Sequence, residues 1–160
     1  MLELTDIGTI KALLARHGFH FSKALGQNFI VNPSVCPRMA EESGIDSESG
    51  VIEIGAGIGV LTAELAKRAK KVVCIELDSK LLPILDETLA DFDNIEIINA
   101  DVLKTDLAAL IEEKFGGIPV YVCANLPYYI TSPVIMTLLE SRLPLKAVTV
   151  MVQREAAQRL

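Results

Sequence analysis

From residue 50 onward the sequence predicts an α/β fold, a doubly wound and mainly parallel sheet of Rossmann-like type. Three observations predict it. Short apolar runs alternate with amphipathic helical segments along the whole stretch. The runs are bare of charge except at their ends, as expected of strands covered on both faces. And 160 residues, 51% of them apolar, make one domain with an ample core and too little polar sequence for a disordered chain.

The elements follow in order. A first helix is expected from an N-cap at Thr5 or Asp6 to Gly18, because Ile7, Ile10 and Leu14 recur at helical spacing. FHFSKALGQNFI (19–30) fits neither the helical nor the strand period and reads as an ordered loop. A second helix is predicted to open at Asn32-Pro33, an N-cap followed by proline at the first helical position, and to stop before Gly44. Strand VIEI (51–54) then leads through glycines into helix LTAELAKRA (61–69). Strand KVVCIE (71–76) is followed by a helix after Asp78 whose first turns Pro83 weakens. Strand IEII (95–98), helix TDLAALIEEKF (105–115) and strand IPVYVCA (118–124) continue the alternation. Helix SPVIMTLLES (132–141), with Ser132 as cap and Pro133 first, and strand AVTVMV (147–152) complete it. Residues 1–49 are thus expected to be a helical arm with a loop, and residues 50–160 the sheet core.

Composition narrows the class. No apolar run approaches the roughly 18 residues that span a bilayer, and the acid-bearing start MLELTDIGTI is no secretory signal. Cys36, Cys74 and Cys123 lie far apart among apolar neighbours, which reads as buried reduced thiols in a cytoplasmic protein with no metal site. A net charge of −6 argues at first against a polyanionic partner. The average hides a partition. Residues 7–40 hold Lys11, Arg16, Lys23 and Arg38 and no acid, whereas residues 41–160 hold 19 acids against 11 bases.

Chemistry collects where strands end. Gly55-Ala56-Gly57-Ile58-Gly59 follows the first strand, where glycines let backbone approach a ligand in front of a helix N-terminus. The dinucleotide fingerprint would need glycine at position 60, which is Val60, so the loop taken alone is weak evidence, with a bare structural turn as the lesser alternative. Glu76 ends the second strand 21 residues after Gly55, where an acid can accept both ribose hydroxyls of a nucleoside or merely face water. Asp101, beside Val102 after the third strand, can accept from an adenine amine or cap the helix that follows. After the fourth strand, Asn125-Leu126-Pro127-Tyr128 offers an amide, a rigidly directed carbonyl at Leu126 or Pro127, and an aromatic plane. Two acceptors there can hold an exocyclic amine while Tyr128 stacks on its ring; the plainer reading is a proline turn with a core tyrosine. Glycine backbone, ribose acceptor and adenine acceptor together fit an adenosyl cofactor.

FSKALGQNFI (21–30), VIEIGAGIGVLT (51–62), IELD (75–78), NADVL (99–103), NLPYYITSP (125–133) and VQREAAQRL (152–160) resemble, in order, the motifs of the ribosomal RNA adenine N6-dimethyltransferases. The pairing of KALGQNF with NLPYYITSP is specific, and it is most similar to the bacterial small-subunit branch; the erythromycin-resistance methylases usually differ at NLPYYITSP. The resemblance implies an S-adenosylmethionine-dependent enzyme acting on 16S ribosomal RNA in the small-subunit precursor, cytoplasmic and monomeric, with no membrane partner. It implies that Gln27, Asn28 and the backbone of Ile30 close over the methionine end, with Gly55 and Gly57 under it. It further implies Glu76 on the ribose, Asp101 and the Val102 amide on the adenine, Asn125 between cofactor and target, and Leu126 and Tyr128 on the target adenine. Ile30 stands where the family more often has leucine, which leaves a backbone contact intact. Lys11, Arg16, Lys23, Arg154 and Arg159 are the expected phosphate contacts, while His17 and His20 lie in no motif. The implied fold has seven strands against the five read here, so an amino-terminal fragment lacking a helical C-terminal domain is expected. A non-catalytic binding module is the alternative, and an oxidoreductase fails on Val60.

Overall fold

The computed structural model describes residues 2–19, 32–126, 130–152 and 154–159. Along the chain run α1 (Ile7–Arg16), α2 (Val35–Glu42), β1 (Gly50–Ile54), α3 (Val60–Arg68), β2 (Lys71–Glu76) and α4 (Leu82–Thr88). These are followed by β3 (Ile95–Asn99), α5 (Leu107–Phe115), β4 (Val120–Asn125), α6 (Thr131–Glu140), β5 (Leu145–Met151) and the short α7 (Arg154–Ala157). The strands form one sheet in the order β3-β2-β1-β4-β5, with each neighbouring pair parallel. The fold class is the expected one: a doubly wound, Rossmann-like sheet.

Alternation of side chains along β1 decides what each face of the sheet carries. Val51, with Val72, Cys74 and Cys123, belongs to the core under α2, α3 and α4. Ile52 and Ile54, with Val73, Ile75, Val122 and Ala124, belong to the core under α5 and α6. A third cluster joins α1 to the body: Leu4, Ile10, Leu13 and Leu14 pack with Ile58 and Ile84. Central β1 is buried throughout, while edge strands β3 and β5 stay half-open. The expectation that charge sits only at strand ends fails at Glu53, which is 1% exposed inside β1.

Two helix starts depart from the sequence reading. The Asn32 side chain accepts from the Ser34 amide at 3.0 Å and its hydroxyl at 2.8 Å, and α2 begins only at Val35. The asparagine stabilises a turn of its own rather than capping the helix. Helix α6 begins at Thr131, whose side chain is fully buried, so Ser132 lies inside the first turn and makes no cap. Pro133 is tolerated there because the first turn's N–H groups need no internal partner. After β2, Asp78 caps as expected, but a 3-10 turn (Ser79–Leu81) precedes α4, with Pro83 in the helix's first turn.

Candidate cofactor and target site

All strand carboxyl ends share one edge, and β1 is the point from which the chain winds outward in both directions. Ligands in such sheets lie in the crevice outside this point. Here it falls between the loop after β1 and the end of β4. Gly55, Gly57 and Gly59 all have positive φ, at 78°, 58° and 95°. The turn closes through the Gly59 amide on the Ala56 carbonyl at 2.9 Å, and Gly59 occupies the N-cap of α3. A side chain at Gly59 would collide with Thr88 Oγ1 at 2.9 Å, whereas one at Gly55 would meet open space. Gly59 is therefore a packing glycine; Gly55 borders room that a ligand can enter.

Glu76, 7% exposed, is locked to this loop. Its Oε1 accepts from the Gly57 amide and its Oε2 from the Asp78 amide, each at 3.0 Å. A carboxylate offers about four acceptor positions, so each oxygen keeps one for a hydroxyl. Asn99 completes the strand end by donating through Nδ2 to the carbonyls of Glu76 (2.8 Å) and Leu77 (3.1 Å). Leu77 itself is an exposed apolar side chain, 68% accessible, on the rim beside Glu76. Neither Asn99 nor Leu77 was singled out from the sequence, although an apolar residue directly after a strand-end acid was the available signal.

Asp101 does cap, but a 3-10 turn and not α5. Its Oδ1 accepts from Leu103 N at 3.0 Å, closing a 3-10 turn over Val102–Lys104, while Asp106 caps α5 through Ala109 N at 3.1 Å. Its second oxygen is not part of that cap. Val102 is the first residue of the 3-10 turn, where an N–H has no partner within the turn. The Asp101 carboxylate and the Val102 amide thus stand next to each other, an acceptor beside a donor.

Across β1, Asn125 ends β4 half-buried, in register with Met151. Leu126 is buried, its amide donating to the Met151 carbonyl at 3.2 Å. Pro127 and Tyr128 lie outside the described residues, as do Lys23, Gln27, Asn28 and Ile30. From β3 to β4 the edge therefore reads Asp101-Val102, Glu76, Gly55–Gly59, Asn125-Leu126. At about 4.8 Å per strand, that line extends over roughly 14 Å.

The expected phosphate contacts divide into two settings. Arg154, directly after β5 on the carboxyl side, and Arg159 are exposed. Arg16 is half-exposed but directed at Glu87 of α4, which also takes His17 Nε2 at 2.6 Å. Those two partners hold the Glu87 carboxyl below the usual range. Lys11 is exposed on α1. Among the described residues no group of three or more His, Cys, Asp or Glu is arranged to hold a metal, and no helix is long and apolar enough to cross a membrane.

Glu53 is the functional-looking group that sequence reasoning passed over. In register with Cys74 on one side and Cys123 on the other, it forms a thiol–carboxyl–thiol row beneath α2 and α3. It accepts from the Thr62 hydroxyl in the first turn of α3 and from Cys74 Sγ at 3.3 Å. Burial raises its pKa to about 7 against those hydrogen bonds, and the same burial pushes the thiols of Cys36 and Cys123 up to about 12. All three cysteines are free and buried.

Comparison with known proteins agrees with this geometry. The family model described as ribosomal RNA adenine dimethylase matches residues 18–160. The chain is similar to the ribosomal RNA small subunit methyltransferase A of Geobacillus thermodenitrificans, 53% identical over 99% of this chain and 54% of that protein. Its counterpart in Bacillus mycoides is 52% identical over 100% of this chain and 55% of that one. The chain spans about half the length of the curated relatives it matches. Among solved structures, the 23S rRNA methyltransferase ErmE superposes with a TM-score of 0.67 at 33% identity, covering 78% of this chain and 48% of that one. A dimethyladenosine transferase from Plasmodium falciparum gives 0.65 at 32%, covering 80% and 44%. With a family model matched from residue 18 to the last residue, on the sheet that its relatives share, the chain belongs to the ribosomal RNA adenine dimethylase family.

Proposed function

We propose that this chain carries the cofactor site and the target clamp of an S-adenosylmethionine-dependent enzyme that dimethylates adenine N6 in small-subunit ribosomal RNA. The observation that carries the reading is Glu76. Two backbone amides orient its carboxylate, one of them from the glycine turn, and each oxygen retains room for a ribose hydroxyl. The open space at Gly55 and the paired acceptor and donor at Asp101 and Val102 fit the rest of an adenosyl group. Leu77 would lie against the flat face of its base. When bound, the cofactor supplies an activated methyl group on sulfur.

This chain's residues would do the remaining work. An adenine amine is a weak nucleophile because its lone pair is delocalised into the ring. Asn125 Oδ1 and the Leu126 carbonyl, two acceptors at the end of β4, would take its hydrogens out of the ring plane and aim the nitrogen. Orientation of this kind is worth roughly 7–11 kcal/mol of barrier. The nitrogen becomes cationic on transfer and loses its proton readily, so no strong base is needed. Gln27, Asn28 and the Ile30 backbone would enclose the methionine end, and Tyr128 would stack on the target.

Incubation with labelled cofactor and undermethylated small subunits tests the reading. Label should appear in N6-methylated adenine, and Asn125→Ala should slow single-turnover transfer far more than it weakens cofactor binding. Cofactor binding with no transfer from any form of the protein would favour a non-catalytic binding module. Transfer within a few-fold of the parent would remove Asn125 from the chemistry.

A further inference from the structure

We infer that Glu87 is a positioning residue for the cofactor loop: it fastens α1 to α4, and between them these helices hold Gly57-Ile58-Gly59 in its ligand-accepting shape. The inference rests on the cofactor reading above. Two groups of α1 converge on one carboxylate of α4, Arg16 on Oε1 and His17 on Oε2. They come from the last turn and the C-cap of α1, about 70 residues away in sequence. The apolar face of the same helix, Ile10, Leu13 and Leu14, is fully buried against Ile58 and Ile84.

Ile58 is the middle of the glycine loop and is itself 1% exposed. It packs in the cluster that α1 forms with Ile84 of α4, and in neither of the clusters that cover the sheet. The next residue meets the other helix. At Gly59 a Cβ would reach Thr88 Oγ1 at 2.9 Å and Leu89 Cδ2 at 3.1 Å, so α4 abuts the loop backbone directly beside Glu87. The loop is gripped on one side by α1 and on the other by α4, and Glu87 joins the two jaws. An exposed ion pair in isolation contributes little. Here the carboxylate determines where a helix sits whose core residues shape a ligand loop.

Two readouts test this on the intact chain: calorimetric affinity for S-adenosylmethionine, and amide hydrogen exchange without ligand. Glu87→Ala should weaken binding roughly tenfold, the size expected for a coupled position outside the site. Arg16→Ala, which leaves the His17 contact, should weaken it less. In both variants the Gly57 and Gly59 amides should exchange faster while those of β2 keep their protection, which shows the fold to be intact. Lys114→Met, which breaks the Glu96 pair on the other face of the sheet, under α5, should change neither readout. Unchanged loop exchange in Glu87→Ala would overturn the inference. So would unchanged affinity in that variant beside a binding parent. A parent that binds no S-adenosylmethionine would instead reject the cofactor reading, and the exchange result would still decide whether Glu87 holds the loop.

Discussion

With one oxygen on the Gly57 amide and the other on that of Asp78, the Glu76 carboxylate is held in a fixed orientation by backbone. Its place beside the glycine turn is legible in the sequence as an acid closing an apolar strand at the right distance from glycines. The hydrogen bonds that orient it are not, because they come from backbone whose turn geometry no side-chain pattern encodes. Glu53 illustrates the opposite failure. An acid within an apolar run reads as a strand end, yet the register places it over the middle of a buried face with Thr62 and Cys74 as partners. An ordinary glutamate titrates near 4.5, whereas Glu53 keeps its proton up to about 7, through burial foremost and the nearby Glu76 charge in addition. Between those values the folded chain binds the extra proton. The stability from this group is thus complete below the lower value and lost as pH rises through the upper one. Thermal unfolding should show the parent's midpoint falling from about pH 5 to about pH 8, with a shallower fall in Glu53→Gln. Parallel profiles for the two proteins would reject a buried, neutral Glu53.

At the level of elements, the alternation of short apolar runs with amphipathic segments located the five strands of the described residues and placed the glycine turn after β1. Helix starts were less legible. Asn32 and Ser132 both have the chemistry of caps, but one closes a local turn and the other lies within a helix whose start is fixed by buried Thr131. Local preference yields where tertiary burial outweighs it. The turn after β1 makes a sharp prediction. Gly59 has φ 95° and is pressed against Thr88 and Leu89, so Gly59→Ala combines backbone strain with overpacking. Denaturant unfolding should record a loss of about 2–5 kcal/mol. Gly55→Ala, with the same sign of φ but open space, should cost about 1–2 kcal/mol from strain alone and should weaken cofactor binding as well. Equal stability losses at the two positions would contradict the division between packing glycine and ligand glycine.

For the molecule as a whole, the net charge of −6 conceals a basic leading stretch, and the structure redistributes even that. Arg16 is turned toward Glu87, and Arg38 pairs with Glu42 four residues on. Arg154 and Arg159 stay exposed at the other end of the chain, Arg154 next to the edge where β5 ends. RNA affinity measured against salt should therefore lose more slope on Arg154→Ala than on Arg16→Ala, with about 0.7–0.9 of a unit per phosphate contact removed. The reverse order would place the RNA on the α1 side. Half-open β5 and the exposed apolar side chains of α6, Met136 and Leu139, belong to the same scale, in a chain that spans about half the length of its relatives.

The central claim is that the carboxyl edge of β1, β2 and β3 binds an adenosyl cofactor through Glu76. Calorimetric titration of S-adenosylmethionine into the parent chain and Glu76→Ala tests it most directly. One site per chain is expected in the parent and at least about a tenfold loss in the variant, the cost of leaving ribose hydroxyls without a charged acceptor. Equal affinity in the two proteins, or no binding to the parent, would contradict it.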